Sequence, residues 1–169
     1  MQHTMRILNL GCGNNKGSDE IGVDIDPNSC ADALCDLNCR PYPFKENSFE
    51  KVVSKQVFEH LDDIEAVLRE ICRISRKGAR LIIEVPHFSC YLAYGDPTHK
   101  RAFSIFSFDK LAPRCGFKIV MRRITFHRAL RRYKVNFFAN RFPRAYERFW
   151  TFMFPAEHLH FELEVVKEE

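Results

Sequence analysis

Two short apolar runs joined by a glycine turn constrain this chain more than any other feature. Arg6 to Gly11 reads RILNLG and Glu20 to Asp26 reads EIGVDID. Each has the length and composition of a buried strand, the first ending at glycine and the second stopped by Pro27. Between them lies a polar stretch too short for a helix of several turns. In an open parallel sheet, ligands bind outside the carboxyl ends of the strands, where the strand order reverses. Gly11 and Gly13 would stand at one such end, where the lack of a Cβ lets backbone approach a ligand and take up unusual dihedrals. Asp24 would stand at the next, where a carboxylate can accept both hydroxyls of a ribose. Together they predict a nucleoside site.

The remaining pattern supplies a sheet around that site. ADALCDL (31–37) reads as a weak third strand, RPYPFKENSF (40–49) as a loop, and FEKVVSKQV (49–57) as a fourth strand. DDIEAVLREICRISRKG (62–78) has helical apolar spacing, aspartates in its first turn, basic residues in its last and a terminal glycine. ARLIIEVP (79–86) is apolar enough to be a strand buried inside a parallel sheet. SFDKLAPRCGF (107–117) reads as a capped helix. FKIVMRRITF (117–126) and LHFELEVVK (159–167) alternate as an antiparallel closing pair. Strands alternating with turns and an amphipathic helix imply a doubly wound, mostly parallel α/β sheet with an antiparallel closing strand. At 169 residues the chain is expected to form a single domain, 1–169, with 126–157 as a helical cap between the last two strands.

Several ligand classes are disfavoured by spacing. A dinucleotide fingerprint needs G-x-G-x-x-G and an acid roughly 20 residues on. Here the sixth position is Lys16, and Asp24 comes too soon after Gly13. No G-x-x-x-x-G-K-[ST] phosphate loop occurs. The seven cysteines are an odd number in an otherwise ordinary composition, which argues against a disulfide framework. Cys30, Cys35 and Cys39 lack C-x-x-C spacing, so no metal is expected. The first residues carry no long apolar run of the secretory kind, and no span of about 18 uncharged apolar residues occurs. The expected address is the cytoplasm.

The motifs then fall in the order of a known family. ILNLGCG, GVDIDP, YPFKENSFEKVVSKQVFEHL and GDPTHKRAFSIFSFDKLAPRCGF together resemble the class I S-adenosylmethionine-dependent methyltransferases, specifically the methyltransferase-11-like group. The resemblance runs from about Arg6 to Phe117. It implies a Rossmann-like fold, S-adenosylmethionine as cofactor and S-adenosylhomocysteine as product. It also implies that Gly11, Cys12 and Gly13 line the methionine end and sugar, that Asp24 binds the ribose diol and that Ile25 stacks on adenine. Asp36 and Leu37 would contact the adenine edge; Ser54, Lys55 and Gln56 would pass near the sulfonium. Two departures stand out. Asn9 occupies a position that usually holds an acid, and the helix between the first two strands is nearly deleted. That helix's N-terminus helps hold the cofactor carboxylate; Lys16 is the replacement charge the sequence offers.

Methyl transfer from a sulfonium is an in-line displacement that needs alignment, exclusion of water, and a base only where the acceptor carries a proton. His87 and His99 are the candidate bases, since imidazole titrates near neutrality. Tyr91, Tyr94 and Arg101 are candidates for shaping the acceptor pocket. Glu59 and His60 read as braces of the following helix. SKQV stands where an N-P-P-Y-like tetrad would mark amine methylation of nucleic-acid bases, so a small-molecule or lipid-like acceptor is expected. The net charge of +4 is local: nine Lys or Arg and one acid, Glu147, lie from Arg122 to Arg148. These interleave with aromatics over 126–154, a pattern that suits an anionic lipid surface, RNA, a second protein, or a plain lid. Two alternatives stay open beside the enzyme: a non-catalytic nucleoside-binding module or partner subunit, and an RNA methyltransferase.

Overall fold

A computed structural model describes residues 6–131 and 134–167. The stretch before Arg6 and, within the basic segment, Arg132 and Tyr133 lie outside the described residues. Seven strands form one sheet: β1 (Ile7–Leu10), β2 (Glu20–Asp24), β3 (Ala33–Leu34), β4 (Phe49–Lys55), β5 (Ser75–Pro86), β6 (Phe117–Ile124) and β7 (His158–Val165). Their spatial order is β3-β2-β1-β4-β5-β7-β6. The first five pair in parallel, and β7 runs antiparallel to both β5 and β6. This is the Rossmann-like arrangement with an antiparallel closing strand, and the order reverses between β1 and β4, as the opening motif requires.

Helix α1 (Ile64–Ile74) crosses from β4 to β5. The Asp63 carboxylate caps it by accepting from the Ala66 N–H at 3.0 Å, a contact typically worth about 1 kcal/mol. Ile64, Val67, Leu68, Ile71 and Ile74 line its buried face and join one core with Leu8, Leu10, Val52, Leu81, Ile83 and Phe161. Glu70, also buried, accepts from the Tyr42 N–H at 2.7 Å and from Arg73, which fastens the β3–β4 loop to the helix.

Three expectations are corrected. The helix ends at Ile74 rather than continuing to Gly78: Ser75 is already extended and pairs with Phe49. The predicted helix over 107–117 shrinks to one turn, α3 (Leu111–Arg114), after the short α2 (Leu92–Gly95). Turns occupy the residues before it. The strand over 31–37 keeps two residues.

β5 is also half-covered rather than enclosed. Leu81, Ile83 and Val85 are buried, while Arg80, Ile82 and Glu84 are only partly so. β7 alternates in the same way along its length. The reason lies in the crossovers. Right-handed β-α-β connections place the β4–β5 helix on one face and any β1–β2 or β2–β3 helix on the other. Both of those connections are helix-free here. The second face accordingly carries polar ladders: Arg80 bridges Glu164 at 3.0 Å and Glu162 at 3.3 Å, and Lys118 reaches Glu164 at 2.6 Å.

Between β6 and β7 the chain forms a cap of short helices: α4 (Arg128–Arg131), α5 (Val135–Arg141), α6 (Pro143–Ala145) and a π-helical turn, Tyr146–Trp150. Phe126, Ala139, Tyr146 and Ala156 anchor it to the core.

Candidate functional site

The tips of β1, β2 and β4 meet at one pocket of about 280 Å³, walled by Gly11, Asp24, Ile25, Cys35, Asp36, Leu37, Asn38, Gln56, Val57, His60 and Leu61. The backbone there is shaped by glycine. Gly11 sits at φ +66°, and a Cβ on it would run into the Val57 side chain. The chain thus crosses Val57 with only hydrogen to spare. A Cβ on Gly13, at φ +49°, would meet nothing within 4 Å; there the need is conformational alone.

Asp24 organises the turn. One carboxylate oxygen accepts from the Gly13 N–H at 2.7 Å and the other from the Asp26 N–H at 2.9 Å. Each oxygen retains a further lone pair, and Asp24 lines the pocket. Gln56, at φ +55°, follows the end of β4, and its side-chain Nε2 is buried with no partner. Ile25 is a strongly exposed apolar side chain on the pocket wall.

The sequence candidates divide between places. Gly11, Asp24, Ile25, Asp36, Leu37 and Gln56 come together on the pocket wall, with Gly13 bonded directly behind Asp24. Ser54 is fully buried on the core side of β4, its hydroxyl without a partner. Cys12 and Lys55 line a separate depression of about 350 Å³ with Asn9, Glu20, Gln56 and Glu84. Lys16 is committed elsewhere: its ammonium bonds Asp32 at 2.6 Å. Asn9 Nδ2 donates to the Asn15 carbonyl at 3.2 Å and to Glu20 at 2.9 Å. Glu20 also accepts from the Gly17 N–H, and that bond holds its carboxyl below the usual range. The negative charge absent at Asn9 is supplied by Glu20, through Asn9.

The two histidines part company. His87 is fully buried: Nδ1 bonds the Ser89 hydroxyl at 2.8 Å, and Nε2 meets Glu147 of the cap at 3.3 Å. Both ring nitrogens are engaged, so it fastens the cap rather than facing the pocket. His99 lies in the loop after α2, its Nε2 3.9 Å from the carboxylate of Glu59. Tyr91 and Tyr94 are exposed, and Arg101 donates to the Asp62 carbonyl at 2.9 Å.

Glu59 and His60, expected as braces of the following helix, stand together with His99 at this site. Glu59 is buried beside His99, and burial pushes its carboxyl up to about 7. His60 lines the pocket and stacks edgewise on His99, with ring centroids 4.6 Å apart. Only the neighbouring positions of the β4 and β5 tips bring FEHL and DPTH together. The three cysteines clustered in sequence do not gather: Cys30 bonds the Gly13 carbonyl and Cys39 the Asp36 carboxylate.

Residues 8–83 match the family model described as a methyltransferase domain. No curated protein matches the chain. Among solved structures, an S-adenosylmethionine-dependent methyltransferase from Archaeoglobus fulgidus is 18% identical, with a TM-score of 0.71 over 95% of this chain and 86% of that one. A chain from the Haloferax volcanii complex of the Trm112 methyltransferase activator is 17% identical, with a TM-score of 0.69 over 100% and 85%. Phosphoethanolamine N-methyltransferase 2 of Haemonchus contortus, bound to S-adenosyl-L-methionine, is 17% identical, with a TM-score of 0.65 over 99% of this chain and 50% of that one. At these identities the likeness is one of fold. Residues 8–83 thus carry a methyltransferase domain, on a fold shared with S-adenosylmethionine-dependent methyltransferases. The cofactor of that class is S-adenosylmethionine. No helix among the described residues is long and apolar enough to cross a membrane.

Proposed function

We propose that this chain transfers a methyl group from S-adenosylmethionine to a lipid-like small molecule at an anionic membrane surface. The observation that carries the acceptor class is the cap. Phe137, Phe138, Phe142, Phe149, Trp150, Phe152 and Met153 are all half or more exposed there. Exposed apolar surface of this extent marks an interaction site rather than a solvated lid. Arg141 and Arg148 lie over the rings of Phe142 and Phe149, 4.9 and 5.2 Å from the centroids. Val135, Ala139, Tyr146 and Phe154 line an open apolar groove of about 430 Å³ beneath these side chains. Aromatics to enter the headgroup layer and arginines to meet anionic lipid are the two parts of an interfacial binding face.

The pocket at the strand tips fits the cofactor. Asp24 keeps one lone pair on each oxygen for a ribose diol. Ile25 and Leu37 give the apolar walls an adenine ring needs, with Asp36 and Asn38 at its polar edge. The unpartnered Gln56 amide offers a buried N–H donor beside the glycine turn. Neither Lys16 nor a helix N-terminus serves the cofactor carboxylate, and the N–H groups of Gly11, Cys12, Gly13 and Asn15 are already bonded within the chain, so the Gln56 amide takes that task. When bound, the cofactor supplies the electrophilic methyl carbon and a neutral thioether leaving group. The chain's part is to hold the acceptor in line and keep water out. Of the two histidines, His99 is the one near the pocket, in edgewise contact with His60 of its wall.

Two assays test this reading. Full-length protein should co-sediment at low salt with phosphatidylglycerol vesicles and not with phosphatidylcholine vesicles. With methyl-labelled S-adenosylmethionine and a total lipid extract, label should move into the organic phase. Absence of vesicle binding at low salt, or label found in added RNA instead, would overturn the lipid assignment. Cofactor binding with no transfer to any acceptor would favour the non-catalytic module.

A further inference from the structure

The Glu59–His60–His99 cluster has a donor set that no methyl transfer requires. Glu59 is 1% exposed, and neither carboxylate oxygen has a hydrogen-bond partner. An unpaired buried carboxylate is strongly disfavoured unless a proton or a cation neutralises it.

The surrounding hydrogen bonds decide which nitrogens are available. The Ala93 carbonyl can only accept, so His99 Nδ1, 3.2 Å away, carries the proton and Nε2 carries a lone pair. That lone pair faces two carboxylates, Glu59 Oε1 at 3.9 Å and Asp96 Oδ2 at 4.0 Å. The Thr98 hydroxyl spends its proton on Asp96, 2.6 Å away, and therefore accepts from His60 Nδ1 at 2.9 Å. His60 is thereby fixed in the same tautomer, with Nε2 as the free ring nitrogen. Imidazoles that donate one N–H to a carbonyl or to a carboxylate-linked hydroxyl, and keep the other nitrogen bare, are set as histidine metal ligands usually are.

A proton alone does not complete the cluster, because 3.9 Å from Glu59 to His99 is beyond hydrogen-bond reach. A metal ion spans such a gap. One ligand atom from each of Glu59, His60 and His99 lies within 4.8 Å of the others. Metal–ligand bonds of about 2.0–2.2 Å would draw them together by side-chain rotation.

We propose that Glu59, His60 and His99 form a binding site for one divalent transition-metal ion, zinc or its neighbours, with Asp96 in reach as a fourth ligand. Two imidazoles and one or two carboxylates suit borderline ions rather than magnesium or calcium. The linear order of residues does not suggest this site, since the donors come from two separate motifs. Because His60 also walls the pocket that holds Gly11 and Asp24, the ion sits at its edge. It ties the 96–99 loop to the turn after β4. This inference stands on the cluster's own geometry and does not depend on the acceptor.

The test uses full-length protein stripped with a chelator and titrated with cobalt(II) as a spectroscopic stand-in for zinc. Expected are visible d–d bands at one ion per chain, no thiolate charge-transfer band, and a melting temperature that rises with added zinc. Glu59→Gln and His99→Ala, each confirmed folded by circular dichroism, should weaken binding at least about tenfold. A Cys30→Ser, Cys39→Ser double variant should bind as the wild type does. A spectrum without d–d bands, a thiolate band that vanishes in the cysteine variant, or unchanged affinity in folded Glu59→Gln would overturn the proposal.

Discussion

The pocket rim at the tips of β1, β2 and β4 and the cap over 126–157 are built on opposite principles. The rim is a set of single-residue requirements. Gly11 crosses Val57 where a methyl group has no room, and Asp24 gathers two backbone N–H groups with the same carboxylate that faces the pocket. The cap is a sum of interchangeable parts. Seven exposed apolar side chains and several arginines lie close together along 137–153, with no single backbone demand among them. The difference teaches where function concentrates: where backbone must meet a small ligand, one atom decides, and where a surface must meet a surface, total area and charge decide.

Substitutions should reproduce that contrast. The largest effect is expected at Gly11→Ala, where left-handed backbone and the collision with Val57 combine to about 2–5 kcal/mol of lost stability. Gly13→Ala, with open space around it, should cost only about 1–2 kcal/mol. Urea denaturation of the two variants separates steric from conformational demand, and equal losses would dissolve the distinction.

In the cap, each of Arg141→Gln, Arg144→Gln and Arg148→Gln should weaken phosphatidylglycerol binding by about 1 kcal/mol, roughly fivefold. The triple variant should lose about a hundredfold. Vesicle co-sedimentation measures this; a single arginine carrying the whole effect would make the cap a specific site like the rim.

The smallest effect concerns the joint between the cap and the segment that follows β5. Burial alone pushes the Glu147 carboxyl upward. Hydrogen bonds from His87, from the Ser104 hydroxyl at 2.6 Å and from the Ile105 N–H at 2.7 Å outweigh it and hold the group below its ordinary range. A carboxyl lowered in the folded state contributes stability that is complete above the unfolded value of about 4.3 and lost as pH falls through the folded one. Limited proteolysis should therefore cut the cap faster below about pH 4 in the wild type. Glu147→Gln should be cut at a rate that does not change over the same range.

What could be read from the sequence follows the same division. The parallel sheet, its closing pair and the pocket were legible because Gly11, Gly13 and Asp24 have one physical use in that spacing, and because α1 repeats its apolar face at helical period. The end of α1 was not legible: Arg76, Lys77 and Gly78 suit a helix terminus as well as the extended start of β5. The half-open sheet was visible only as a missing helix, since Arg80 and Glu84 alternate with apolar residues so near to buried ones that the strand reads as enclosed. His87 resembled a base by type, but its commitment to Glu147 joins positions far apart in the chain. Glu59 and His99 come together only through the sheet, which is why their cluster escaped a linear reading.

Cofactor binding turns on the rim gripping an adenosyl group through Asp24. Isothermal titration with S-adenosylhomocysteine tests that most directly. One site per chain is expected in the wild type, weakened roughly a hundredfold in Asp24→Ala, as two hydrogen bonds to a charged acceptor are lost. A folded wild type that takes up none of the ligand, or an Asp24→Ala variant that binds it equally well, would contradict the account.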